Sequence, residues 1–201
     1  MRFPERLFLH LKDLWHNTIA FIFKKDVPKT IPDTINENEI LIRGIFHPIH
    51  FKKGKITEMA FLPKSGDNDV SILRRNYTTD DFCKSFFATM PSKMNYRGLF
   101  AFLAQHIAEI SEKCGIKDKV SLKVTPLDEN KKEVKTRPIL ETFPGLPMHA
   151  DLHYYDRFEK GEVQTNYREF ARKLITHVDK YFEDPNIPSP HWEGPDLGRI
   201  F

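Results

Sequence analysis

The segment His149-Ala150-Asp151-Leu152-His153 places three metal-ligating side chains at alternate positions. On a strand, alternation sends His149, Asp151 and His153 to one face and Ala150, Leu152 and Tyr154 to the other. That arrangement lets an imidazole, a carboxylate and a second imidazole converge on a divalent metal such as zinc. The competing reading is ordinary antiparallel alternation, with the apolar residues on a core and the polar trio in water.

A second chemical segment is Arg43-Gly44-Ile45-Phe46-His47-Pro48-Ile49-His50. Arg43 and His47 fall on one strand face, so a cation and a titratable imidazole can bracket a phosphate, with His50 close by. Where the two segments meet, His47, His50, His149 and Asp151 form a catalytic set of general acids and bases, with Arg43 as an anion clamp. The plain alternative pairs Arg43 with a carboxylate and makes His47 to His50 a strand end. Arg74, Arg75 and Tyr77 offer a further substrate-binding corner, two cations for an anion and a ring to stack on a base or nicotinamide, against the alternative of a solvated loop. The run Leu41-Ile42-Arg43-Gly44 resembles the Arg-bearing first strand of the ADP-ribosyltransferases. Over those four residues the resemblance implies an NAD-binding transferase centred on Arg43, without counterparts placed for that family's later Ser and Glu motifs.

Other chemistry loses its support. Neither Cys83 nor Cys114 lies in a CxxC spacing, and both fall in apolar helical stripes, which suits reduced core thiols in a cytoplasmic protein. Phosphate-loop, dinucleotide, serine-hydrolase-elbow and zinc-protease motifs are missing. The formal net charge is only +3, with acidic residues scattered among basic ones, so a nucleic-acid partner is not indicated. Glu5, Arg6, Lys12 and Asp13 interrupt the apolar N-terminal stretch too often for a membrane span.

The elements that must position these residues read as an α+β fold: a mostly antiparallel sheet of about five to seven strands, covered by three or four helices. Residues 1–25 form an N-terminal amphipathic helix, 26–183 a single α+β domain, and 184–201 a Pro-rich, extended C-terminal tail. Strands are expected at Ile40 to Phe46, Ile56 to Leu62, Val70 to Leu73, Val120 to Val124, Val134 to Leu140 and Met148 to Tyr154. Helices are expected near 79–89, from about Leu99 to Cys114 with a stop at Gly115, where Leu99 to Leu103 fits a buried strand equally well, and over 165–182.

Two ends with apolar character point to a role in assembly. Trp15 on the first helix, and Trp192, Ile200 and Phe201 in the tail, are suited to contact another protein chain or a homo-oligomer mate. The leading expectation is therefore a binding or adaptor subunit of an intracellular multi-protein complex, docking through those termini. The alternatives are the His/Asp-dependent hydrolase or nuclease, with or without a metal, and the ADP-ribosyltransferase-like enzyme.

Overall fold

A computed structural model describes residues 30–90, 95–130, 132–135, 145–156, 164–183, 189 and 191–199. The N-terminal helix with Trp15, most of the returning strand Val134 to Leu140, and Ile200 and Phe201 lie outside the described residues. Among these residues the chain forms β1 (Ile40–His47), β2 (Phe51–Lys52), β3 (Lys55–Ile56), β4 (Asp69–Arg74), helix α1 (Asp80–Ala88) and β5 (Asn95–Leu103). There follow α2 (Gln105–Lys113), β6 (Val120–Val124), β7 (His149–Tyr154), α3 (Thr165–Thr176) and β8 (Asp179–Phe182). Six strands make one sheet in the order β6-β7-β4-β1-β5-β8, every neighbouring pair antiparallel, while β2 and β3 form a separate two-residue hairpin.

The sheet is buried on both faces, which is why its central strands read as near-continuous apolar runs. One face carries Leu41, Ile45, Val70, Ile72, Phe100, Phe102, Ala150 and Leu152 against Ile107 and Ile110 of α2 and Phe170 and Leu174 of α3. The other carries Ile40, Ile42, Leu73, Leu99 and Ala101 against Phe82, Cys83, Phe86 and Phe87 of α1. Each fully buried Phe or Leu contributes about 1.5–3 kcal/mol. Helix α1 starts where the Thr79 hydroxyl accepts the Phe82 amide at 3.2 Å, and Asp80 and Asp81 sit in its first turn, where the helix dipole favours them. It packs so closely on β1 that a Cβ on Gly44 would stand 2.6 Å from the Phe87 ring.

Three expected elements are redrawn. The apolar run before α2 belongs to β5, and the helix begins only at Gln105, ending as expected by Gly115 at φ 67°. A central strand buried on both faces shows no alternation, so Leu99 to Leu103 fits either element. The last helix stops at Thr176, and the chain turns into the edge strand β8, with Tyr181 half-buried and Lys180 and Phe182 exposed. The strand expected over Ile56 to Leu62 shortens to Lys55–Ile56, and a 3-10 turn at Glu58–Ala60 carries Ala60 and Phe61 into the core.

The described part of the tail is a strap rather than a free arm. The Trp192 amide donates to Asp81 at 2.5 Å and the Leu197 amide to Asp80 at 3.2 Å. Lys84 of α1 reaches the His191 carbonyl at 2.7 Å, and the Leu197 side chain is fully buried in the α1-side core.

Candidate functional site

Arg74 and Arg75, adjacent in sequence, have separate structural tasks. Arg74 is fully buried in a bidentate pair with Glu39, Nε to Oε1 at 2.5 Å and the second guanidinium nitrogen to Oε2 at 2.9 Å. It also donates to the Pro32 and Thr34 carbonyls and lies 4.7 Å over the Tyr77 ring. Tyr77 is thus covered by its own neighbour and only 6% exposed. Arg75 binds Asp80 at 2.5 Å, the Thr78 carbonyl and Asp196 of the strap, and so ties α1 to the tail.

Arg43 lies where the sheet forks. β1 and β4 pair only at Leu41↔Arg74 and Ile42↔Leu73; beyond that β1 stays with β5 and β4 with β7. Into this fork Arg43 sends its guanidinium, donating to the Ser71 carbonyl at 2.9 Å and the Ala60 carbonyl at 3.3 Å, with no carboxylate paired to it among the described residues. Burial lowers its pKa to about 10, opposed by the nearby charge of Asp151, and it remains a cation at neutral pH. His50 is only 4% exposed and its Nδ1 has no hydrogen-bond partner among the described residues. Burial first, then the Arg43 charge, push its imidazole down to about 3. His47 ends β1 opposite Asn95 and makes no hydrogen bond to the other candidates.

On the α1 side of β4, β7 and β6 lie two polar groups. The inner one is closed: Thr125, just beyond β6, donates its hydroxyl to Asp151 at 2.6 Å, and His149 Nδ1 lies 2.9 Å from the Thr125 carbonyl and 3.0 Å from its hydroxyl. Burial holds the His149 imidazole below its ordinary pKa, opposed by Asp151 with 3.8 Å between Nε2 and Oδ1. His149 and Asp151 therefore do not face water, as plain alternation implies; they are 3% and 8% exposed. The outer group is open. His153 Nδ1 meets Asp69 Oδ1 at 2.6 Å, and Tyr155, 55% exposed, stands edge-on to the His153 ring at 4.8 Å. Ser121 donates to the Tyr155 hydroxyl at 3.2 Å, and Lys123 lies 5.1 Å from the Tyr155 ring centre.

The trio His149, Asp151 and His153 thus divides between two neighbourhoods. No group of three or more His, Cys, Asp or Glu among the described residues is placed to hold a metal ion. Arg43 is the common neighbour of His50, His149 and Asp151 in charge terms, whereas His47 and His153 stand apart.

A last surface lies at the other end of the sheet. Phe182 of β8 is 51% exposed and packs against Phe51 of the β2-β3 hairpin at 5.5 Å between ring centres, with Ile49 exposed two residues upstream of Phe51. Lys52, Lys53, Lys55 and Lys180 around it are exposed and form no ion pair among the described residues. Trp192, by contrast, is half-buried against Tyr181 at 6.0 Å and bonds through its indole N–H to the Pro195 carbonyl. Sequence reading missed Asp69, Ser121, Thr125, Lys123, Tyr155, Phe51 and Phe182. Each acquires its role only through a strand register or an edge position that no local spacing encodes.

No protein-family model matches the chain, and neither a curated protein nor a solved structure matches it. No described helix is long and apolar enough to cross a membrane.

Proposed function

We propose that the chain is a binding subunit whose docking surface is the corner formed by β8 and the β2-β3 hairpin. The observation that carries this reading is an aromatic pair beside an edge strand, Phe182 exposed and Phe51 half-buried, with Lys52, Lys53, Lys55 and Lys180 of the same two elements exposed and outside any ion pair among the described residues. An edge strand offers unpaired backbone donors and acceptors to an added strand, and alternate side chains then supply specificity. Lys180 and Phe182 are such an alternate, outward pair. The partner that fits is an acidic segment of another protein with aromatic or aliphatic anchors, drawn in by the lysines and held by the rings.

This reading keeps the expected role in a complex and moves the contact away from the tail, where Trp192 and Leu197 are engaged within the domain. Cys83 and Cys114 are free thiols, which supports a reducing, cytoplasm-like setting.

The test is fluorescence anisotropy with a labelled extended peptide that alternates Glu with Leu and Phe. Binding should weaken at least about tenfold in F182D and in K180E, as expected when an anchor or a facing charge is removed. Equal binding by both variants, or tighter binding of a single-stranded oligonucleotide of equal charge, overturns the assignment.

A further inference from the structure

We propose that Asp69, His153 and Ser121 form a catalytic triad for acyl transfer, with carboxylic esters as the substrate class. The inference rests on register, independent of the docking corner. β4, β7 and β6 are consecutive strands, and the pairings Asp69↔His153 and Ser121↔His153 put all three residues in one row on one face. Directly opposed residues on adjacent antiparallel strands have Cβ atoms about 4.5–5.5 Å apart, so the imidazole stands between the carboxylate and the hydroxyl.

The order is the one nucleophilic catalysis needs. Asp69 accepts from His153 Nδ1 at 2.6 Å, which fixes the ring and leaves the Nε2 lone pair as a base. Nε2 has no hydrogen-bond partner among the described residues, and Ser121 flanks His153 on the side away from Asp69. The Ser121 hydroxyl is parked on the Tyr155 hydroxyl at 3.2 Å. Tyr155 lies just beyond β7 and is 55% exposed, and an outward turn of its ring, away from His153 and Lys123, releases Ser121 to His153. Catalytic hydrogen bonds are often absent or long before substrate binds. Lys123, the next residue on the same face of β6, forms no ion pair among the described residues and supplies a positive charge beside Ser121, where the carbonyl oxygen becomes an oxyanion.

In the reaction Ser121 Oγ attacks the ester carbonyl carbon while its proton passes to His153 Nε2. The tetrahedral intermediate then expels the alcohol, which takes that proton from His153, and an acyl-serine remains. Water, deprotonated by His153, attacks the acyl carbon; the carboxylic acid leaves and Ser121 regains its proton. No oxidant, reductant or further reactant is required.

The experiment treats the full chain with a fluorophosphonate probe and maps the adduct by mass spectrometry, then follows p-nitrophenyl acetate hydrolysis. A single adduct on Ser121 is expected, with hydrolysis lowered at least about 100-fold in S121A and in H153A, and lowered in D69N. Probe labelling of the unaltered chain decides the matter even where a variant fails to fold. No adduct on Ser121, or hydrolysis that survives in S121A, overturns the proposal, whether or not H153A is inactive.

Discussion

Arg74 and Arg43 project from neighbouring strands of one sheet and bury the same guanidinium group by different means. Arg74 stands where β1 and β4 are paired and meets Glu39 in a bidentate ion pair, so charge and hydrogen-bonding capacity are matched within the fold. Arg43 stands where the same strands have parted and, among the described residues, donates only to backbone carbonyls. The difference teaches that a buried cation is an integral part of the fold when a carboxylate comes with it. Without one, it substitutes for missing strand pairing, here by supplying the donor that β1 does not offer to the Ser71 carbonyl.

The sharpest way to break this contrast is R74M. It leaves the Glu39 carboxylate buried without a partner, and loss of one member of a buried pair costs about 3–5 kcal/mol. In a chain of this size that corresponds to a Tm lower by about 10 °C in a thermal melt. An R74M melting temperature within a degree or two of the unaltered chain would show that Glu39 is satisfied without Arg74.

Acid sharpens the other half of the comparison. The His50 imidazole is held neutral with a pKa near 3 while the unfolded chain binds a proton below about 6.5. Because the folded pKa is depressed, the folded state binds fewer protons, so stability is present above pH 6.5 and falls as pH drops from there toward 3. One such group contributes a loss of about 1.4 kcal/mol per pH unit. Denaturant titrations from pH 6 to 4.5 should show it, and H50M should reduce the slope by one proton. An unchanged slope would place the acid sensitivity elsewhere.

The smallest effect belongs to R43M. It removes a cation that has no carboxylate partner among the described residues and leaves two carbonyls to find water, so a change within about 1 kcal/mol of the unaltered stability is expected. Loss of the nearby charge should also raise the His50 pKa, readable as an imidazole shift by NMR. A cost approaching that of R74M would mean that the two arginines are equivalent after all.

Much of the scaffold was legible in residue order. The alternation in His149 to Tyr154, the apolar stripe near 79–89 and the glycine after α2 are local signals, and each ended in the expected element. β5 was less legible because burial on both faces erases the period that separates strand from helix, and β8 because four residues are too few to outweigh the helical stripe before them. The sites were harder still. That His149 and Asp151 are buried follows from Thr125 closing over them, and that Ser121 shares a row with Asp69 follows from three strands meeting in one register, neither of which is written in any short motif.

The strap gives helix α1 a remote dependence. Asp80 and Asp81 hold amides from the far end of the chain, Trp192 lying 111 positions after Asp81, and Leu197 completes the apolar layer that the helix closes. Proteolytic trimming after Glu183 would therefore unplug that layer and unseat α1, so the point where the sheet ends is no place to divide the protein.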